Sequence, residues 1–507
     1  MRFLFDPMTI IKLRDNRSYD SARPFSKQER TDGEPRYVAE AADGLHEQIV
    51  EEDEKSLLYR FGGMTLGDLE ALSNGALLNL SGSHLDSNDR TIASFFEFRE
   101  NKEGFSLATG NLMGALRFRD RKSGTSVQVE ILSRFDKGGN NFFLNYLLSR
   151  AFDVATGEDP VSAKQPSVLD LLLDVLFVRR FGEASRNGLL RQYRTYRNND
   201  WAFKGRLDLP RHIRENVPLP RGVAYVKREI DLDVPVNRLL LLAALVVRKR
   251  RPDLFERNED ARDALRELRT AIPDPGDVRS VLSHRDCREP VRHPFYREVW
   301  EPLRQIARMI LEEERWMLFQ DDEEETVSGV VFDGAWLWEE YIASVLVPRG
   351  FRHCVRGGSA DERGLRVFKN GGRRFNPDFL RSDCVLDAKY KRSNPNGGRN
   401  DVHQVLCYLL LSGAKLGGLV FPPVDPVCET GEDRAEDLYG NVGNVGWSDE
   451  KTIDSPYSTE ESPIHWRCFS WGPVGDGDWA AFQTYMVGQE EELIKNLPGV
   501  ENSPRAG

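Results

Sequence analysis

Cys384-Val385-Leu386-Asp387-Ala388-Lys389-Tyr390, preceded by Phe375-Asn376-Pro377-Asp378-Phe379, sets the architecture expected for the carboxyl-terminal part of this 507-residue chain. The run is short, apolar and bounded by turn formers, which is the pattern of a buried strand. Side chains alternate along a strand, so Asp387 and Lys389 share one face while Leu386 and Ala388 turn to the other. Upstream, Ala335 to Leu346 reads as an amphipathic helix that ends before Pro348 and carries Glu339 and Glu340 among aromatics. Downstream, Asp401 to Leu411 reads as a helix on which Gln404 and Tyr408 are four apart and share a face. The apolar strand Leu416 to Phe421 follows and stops at Pro422-Pro423.

These residue types in this order carry a specific chemistry. Mg²⁺ takes oxygen ligands, keeps several waters and is usually held by one or two carboxylates, which Asp378 and Asp387 supply, with Glu339 completing the set directly or through water. Such an ion polarises a scissile phosphate and lowers the pKa of a bound water, while Lys389 orients that nucleophile and stabilises developing negative charge. Gln404 buttresses the site, and Tyr408 and Lys391 are candidate phosphate contacts. Mg²⁺ or Mn²⁺ fits this ligand set. Taken singly the motifs are weak, because Pro-Asp is most often a turn and a strand-borne Asp-Ala-Lys is most often a surface edge. Acidic helix, Pro-Asp, apolar strand delivering Asp-x-Lys, then a helix bearing Gln and Tyr is a series, and that series resembles the PD-(D/E)xK nuclease fold in type, order and spacing.

The remainder of the chain is heterogeneous. At about 150 residues per domain the length implies two to four domains. The formal charge is −11, from 81 acidic against 70 basic residues, which argues against a protein whose whole surface grips nucleic acid. Between Arg179 and Arg228, however, 13 Lys or Arg face 4 Asp or Glu, with Tyr193, Tyr196, Trp201, Phe203 and Tyr225 among them. Cations neutralise phosphates and aromatic faces stack on bases, so Arg191, Arg194, Arg197, Lys204 and Arg206 are candidate DNA contacts. A solvated helix face with core aromatics is the competing reading. Apolar periodicity marks further helices at Asn141–Phe152, Ser167–Phe181, Val236–Arg250 and Tyr296–Phe319, so the middle of the chain reads as mostly α. Leu112–Phe118 and Val127–Leu132 read as a β-hairpin across the turn-forming residues Asp120 to Gly124.

Several function classes are excluded. The longest apolar run, Leu239 to Val247, stops at Arg248-Lys249-Arg250-Arg251, short of the roughly 20 residues a membrane span needs. Met1 to Lys12 is too short and too soon charged for a secretory signal, so a cytoplasmic location is expected. Six scattered cysteines show neither a disulfide framework nor zinc-finger spacing and read as reduced thiols. Neither a G-x-x-x-x-G-K-[ST] phosphate loop nor a strand-borne G-x-G-x-x-G is present, so no nucleotide is expected on this chain itself.

Three stretches carry a closer likeness. They are Asn111-Leu112-Met113-Gly114-Ala115-Leu116 with Val127 to Phe135; Gly188 to Tyr193, Lys204 to Asp208 and Asp233 to Leu239; and Leu337 to Tyr341 with Pro377-Asp378, Asp387-Ala388-Lys389 and Gln404. From about Asn111 onward the chain resembles the McrC-like subunits of the McrBC modification-dependent restriction endonuclease family. The resemblance implies a cytosolic, Mg²⁺-dependent DNA endonuclease, with Glu339 rather than Glu340 as the helix glutamate. It also implies a partner, an McrB-like AAA+ GTPase hexamer that translocates double-stranded DNA and reads modified cytosine. The amino-terminal part of the chain would enter the motor's pore and stimulate nucleotide hydrolysis.

The expected architecture is α+β and multidomain. It comprises a polar, loosely ordered arm over 1–60, a β-rich partner-binding domain over 61–165, a helical middle domain with the basic segment over 166–325, and an α/β nuclease domain over 326–507. The acidic run Asp321 to Glu325 reads as a linker, and a Gly- and acid-rich insertion near 428–462 departs from the family. Two other function classes fit parts of the pattern: a non-cleaving adaptor that activates a motor, and a stand-alone repair nuclease.

Overall fold

The computed structural model describes residues 9–20, 26–27, 37–39, 52–73, 77–81, 93–101, 104–120, 125–136, 141–152, 168–219, 221–289, 294–318, 326–354, 364–371, 373–391, 396–423, 450–472 and 477–498. Backbone packing divides the chain into two units, one built from residues 1–169 and 323–507, the other from 170–322. Both mix helices and strands. Among the described residues no helix is long and apolar enough to cross a membrane.

The first unit holds a seven-stranded sheet whose centre is the antiparallel pair Leu112–Arg119 and Ser126–Leu132. The hairpin read from sequence is present, though its turn residues 121–124 lie outside the described residues. Val127, Val129 and Ile131 are fully buried on one face. On the other, Gln128 and Glu130 are also buried, joined to Arg117 through side-chain hydrogen bonds, as buried polar groups require.

Three further strands pair across the expected domain boundaries. Thr9–Arg14 pairs in parallel with Ser126–Leu132, and Ser18–Asp20 pairs with Gly104–Thr109, inside the segment expected to be a loosely ordered arm. Ile10, Ile11 and Leu13 are buried while Lys12 and Arg14 are half-buried, so the strand packs chiefly through its Ile11–Leu13 face. Thr326–Asp333, placed by sequence at the start of the nuclease domain, pairs antiparallel with Leu112–Arg119 and belongs to this first sheet. The two strands meet closely at Gly114 (φ +126°) and Gly329 (φ +150°), where a Cβ would come 2.1 Å from Val330 O and 2.1 Å from Ala115 O respectively. Only glycine fits both the backbone angle and the space.

The same unit holds a six-stranded sheet. At its heart Cys384–Ala388, Leu416–Phe421 and His465–Ser470 run parallel, flanked by the short strands Phe379–Leu380, Arg352–His353 and Lys451–Thr452. Helix Arg399–Ser412 makes the crossover between the first two parallel strands. It lies close on the sheet at Gly417, where a Cβ would meet Leu409 Cδ1 at 2.6 Å and Val405 Cγ1 at 2.8 Å. Gly413 ends the helix in the left-handed conformation (φ 73°). Residues 428–449 of the expected insertion, with the Gly440–Gly446 loop, and residues 321–325 of the acidic run lie outside the described residues.

The second unit is mostly α, as the sequence predicts for the middle of the chain. Helices Pro235–Arg250, Glu259–Ala271 and Pro294–Leu318 are present, and the basic segment adds a three-stranded antiparallel sheet of Gln192–Asp200, Val223–Asp231 and Arg206–Leu207 to its own helices. Gln192–Asp200 alternates only between exposed and half-buried positions. With neither face fully covered, its sequence carries no apolar alternation to announce a strand.

Candidate active site

Four elements of the first unit bring the candidate residues together. Strand Cys384–Ala388 is buried along most of its length and delivers Asp387, which is 1 % exposed. Lys389 follows it, its backbone N–H donating to Val420 O at 2.9 Å, so the parallel pairing runs one residue past the strand. The ammonium of Lys389 lies 2.5 Å from Asp387 Oδ2, as expected for neighbours on one strand face.

Asp378 precedes the short strand Phe379–Leu380, whose Phe379 is opposite Leu386. That register carries the Asp378 carboxylate over the end of the Asp387 strand, where Oδ2 accepts from Ala388 N at 2.7 Å. Glu339 comes from helix Gly334–Leu346, which follows directly on the Thr326–Asp333 strand. Asp333 caps this helix by accepting from Ala335 N at 2.6 Å and Trp336 N at 3.3 Å.

Gln404 ties the cluster into one network. Its Oε1 accepts from Lys389 Nζ at 3.1 Å, and its Nε2 donates to Asp387 Oδ1 at 3.3 Å and to Tyr408 Oη at 2.8 Å. The Tyr408 hydroxyl in turn donates to Asn376 O at 3.0 Å, just ahead of Pro377-Asp378. Lys391 is turned aside, paired with Asp401 at 2.6 Å. His353, which sequence reading passed over, contacts Glu339 Oε1 through Nε2 at 2.7 Å and stacks on Phe379 with ring centroids 5.4 Å apart. A lone histidine on a two-residue strand has no spacing signal that could have marked it.

The electrostatics are those of crowded acids. Burial raises Asp378 well above the usual carboxylate range, and repulsion from Asp387 and Glu339 adds to this against the opposing pull of Lys389 and the Ala388 N–H. Burial also raises Asp387, with the Lys389 ammonium opposing it. Burial acts to lower Lys389, but attraction to Asp387 outweighs it and the net shift is upward, so the amine stays charged. Asp378 and Asp387 beside one ammonium, with Glu339 adding repulsion, form a site that a divalent cation would relieve. Among the described residues no three His, Cys, Asp or Glu side chains are gathered so as to enclose a cation by themselves. Two carboxylates completed by water and phosphate oxygens is the arrangement Mg²⁺ usually takes, and Asp378 with Asp387 fits it.

The remaining candidates lie in the second unit. Arg194 is paired with Asp233 at 2.9 Å and Asp231 at 3.7 Å, and Arg191 with Glu267 at 3.4 Å. Arg197, Lys204 and Arg206 are exposed. Of the interleaved aromatics Tyr193, Trp201 and Phe203 are exposed, Tyr225 is core, and Tyr196 is anchored by its hydroxyl to Asp231. Arg228 stacks over Tyr193 at 4.5 Å.

Fold and site together define a multidomain protein of mixed α and β structure with a half-buried carboxylate–lysine cluster at the end of a parallel strand. The family model described as McrBC 5-methylcytosine restriction system component matches residues 107–422, and the chain belongs to that family. No curated protein matches the chain. Two solved structures from Thermococcus gammatolerans are similar to it. A half-complex from a tetradecameric assembly of McrB AAA+ hexamers with bound McrC aligns at 15 % identity over 94 % of this chain and 99 % of that chain, with a TM-score of 0.43. The McrBC complex aligns at 16 % identity over 67 % of this chain and 87 % of that chain, with a TM-score of 0.32.

Proposed function

We propose that this chain is the nuclease subunit of a modification-dependent restriction complex and that residues 326–507 carry a PD-(D/E)xK active site. The convergence of Asp378, Asp387, Lys389 and Gln404 into one hydrogen-bonded cluster supports this reading most strongly. Asp378 and Asp387 would hold Mg²⁺ or Mn²⁺, with Glu339 joining directly or through water. When bound, the cation supplies Lewis-acid polarisation of the scissile phosphate and a lowered pKa for an attacking water.

The protein's own groups do the rest. Lys389 stays protonated beside Asp387, so it stabilises negative charge developing on the phosphate and orients the attacking water. Gln404 fixes the ammonium by accepting from it while restraining Asp387. Tyr408 carries that restraint to the Asn376 carbonyl and so to the turn that presents Asp378. Holding the reacting groups in one geometry removes orientational freedom from the barrier.

The proposed partner is an McrB-like AAA+ GTPase hexamer that translocates double-stranded DNA and reads modified cytosine, with nucleotide bound by the partner rather than by this chain. Cationic loading through a partner suits a chain of net charge −11 that carries a strong positive surplus in the segment Arg179–Arg228. Reconstitution of the chain with its AAA+ partner, GTP, Mg²⁺ and methylated DNA tests the proposal. Strand scission that disappears in Asp387→Ala is expected, and equal cutting by that variant would refute it.

A further inference from the structure

One residue beyond Lys389, Tyr390 sits in a buried knot of side chains that draws on both sheets of the first unit. Its hydroxyl is 2.9 Å from Ser133 Oγ and 3.6 Å from Met113 Sδ. Its carbonyl accepts from Arg134 Nη2 at 2.8 Å. Arg134 donates through Nη1 to Asp15 Oδ2 at 2.9 Å and through its backbone N–H to Asp15 Oδ1 at 2.6 Å. Its guanidinium lies 5.0 Å from the ring centroid of Tyr390 and 4.9 Å from that of Phe135. On its other side the Tyr390 ring closes on Gly334, where a Cβ would come 2.6 Å from Tyr390 Cε1. Gly334 opens the helix that carries Glu339.

Tyr390 therefore meets three elements at once: the end of the strand that bears Asp387, the start of the helix that bears Glu339, and the Ser133-Arg134-Phe135 corner that follows the Ser126–Leu132 strand. A staple serving only the seven-stranded sheet would need no more than the Arg134–Asp15 pair. The additional donor that Arg134 sends to the Tyr390 carbonyl leaves that sheet and fixes the backbone next to Lys389. A planar guanidinium can serve Asp15 and a carbonyl together while stacking on a ring, and a lysine ammonium cannot.

We propose that Arg134 is a positioning residue that acts through Tyr390 to hold Lys389 and Glu339 in register, so that the seven-stranded sheet, and not residues 326–507 alone, completes the nuclease site. This rests on the reading of Lys389 as a catalytic residue. Asp15, from the segment that sequence alone marks as a loose arm, is then part of the support of the site.

The test uses the full chain with its AAA+ partner, in wild-type form and as Arg134→Lys, each with Lys389 intact or replaced (Lys389→Ala). Single-turnover cleavage, DNA affinity, thermal midpoint and amide exchange over Ala388 to Lys391 are measured. Arg134→Lys is expected to slow cleavage about tenfold or more, as displaced reacting groups do, with DNA affinity within about twofold for the same reason, that binding does not demand the reactive geometry. Exchange over Lys389 to Lys391 is expected to quicken, and the cleavage loss to shrink when Lys389 is already alanine, the remainder being the part carried by Glu339. An equal fold-loss in both Lys389 backgrounds, or unchanged exchange and rate, would overturn the proposal. If Arg134→Lys fails to fold, Gly334→Ala displaces Tyr390 from the helix side and must give the same non-additive loss. Failure of the wild-type chain to cut, or full cutting by Lys389→Ala, would instead overturn the nuclease reading, and the exchange data alone would then decide whether Arg134 holds the segment.

Discussion

The ammonium of Lys389 lies 2.5 Å from Oδ2 of Asp387, two residues earlier in the chain, and its other neighbour is Gln404 Oε1 at 3.1 Å. Charge and position are thus fixed together. Replacing Lys389 by methionine keeps the stem and removes the charge. Cleavage is expected to fall by about a hundredfold or more, the usual cost of losing one preorganised electrostatic stabiliser. Single-turnover rates at saturating DNA check this, with DNA affinity little changed.

The buried acids dictate a pH dependence of stability. Burial raises Asp378 well above its ordinary value of 3.8, and burial also raises Asp136, which caps helix Phe142–Ala151 through Phe143 N and Leu144 N, to about 6. A carboxyl whose folded-state pKa is raised binds its proton more tightly when folded. Its contribution is therefore fully present below 3.8 and is lost as pH rises through the folded value, for Asp136 between 3.8 and about 6. In EDTA the chain should lose stability as pH climbs toward neutrality. Asp378→Asn should raise the thermal midpoint at pH 7.5 while abolishing cleavage. Mg²⁺ should raise the midpoint of the wild-type chain and not of the variant. Calorimetry with and without the ion checks all three statements.

His353 holds Glu339 from outside the carboxylate cluster at 2.7 Å. Loss of a partner that orients a ligand typically costs about ten- to a hundredfold. His353→Leu, which keeps apolar packing on Phe379, should raise the Mg²⁺ concentration needed for half-maximal cleavage by about tenfold on that basis. His353→Gln, which retains a donor, should stay nearer the wild type. A titration of cleavage rate against Mg²⁺ separates the two variants.

Tyr408 joins Gln404 to the Asn376 carbonyl through one hydroxyl. Tyr408→Phe leaves these half-buried groups short of a partner and should cost about 1–3 kcal/mol of stability. The denaturation midpoint should fall without a change in denaturant slope, and cleavage should weaken more than DNA binding does.

Exposure divides the basic residues of the second unit. Arg197, Lys204 and Arg206 are exposed, whereas Arg194 is committed to Asp233 and Asp231. If the sheet meets DNA phosphates, each of the first three replaced by alanine should lower the slope of log binding constant against log salt by about 0.9, the value for one phosphate contact on duplex DNA. Arg194→Ala should instead disturb the fold locally and leave the slope unchanged. Binding isotherms at several salt concentrations distinguish these outcomes.

Much of the carboxyl-terminal fold was legible because its elements are buried and periodic. The strand through Asp387, the helix through Gln404 and the strand Leu416–Phe421 all lie where apolar runs and turn formers place them. What escaped sequence reading did so for physical reasons. Thr9–Arg14 is short and takes its place by parallel pairing with the distant Ser126–Leu132 strand, and the basic strand Gln192–Asp200 is fully covered on neither face, so it lacks the alternation that identifies a half-buried strand. Thr326–Asp333 pairs with strands some two hundred residues earlier in sequence, a long-range choice that no local pattern encodes. His353 and Arg134 reach the candidate site through tertiary packing alone.

The central claim is that this chain itself breaks the phosphodiester bond. Its most direct test is single-turnover cleavage of methylated DNA by the reconstituted complex, comparing wild type with Asp387→Asn while recording GTP hydrolysis in the same reactions. Mg²⁺-dependent strand breaks are expected, falling by about a hundredfold or more in the variant, with stimulation of GTP hydrolysis retained. Undiminished cutting by Asp387→Asn, or stimulated hydrolysis with no strand breaks from the wild-type chain, would contradict it.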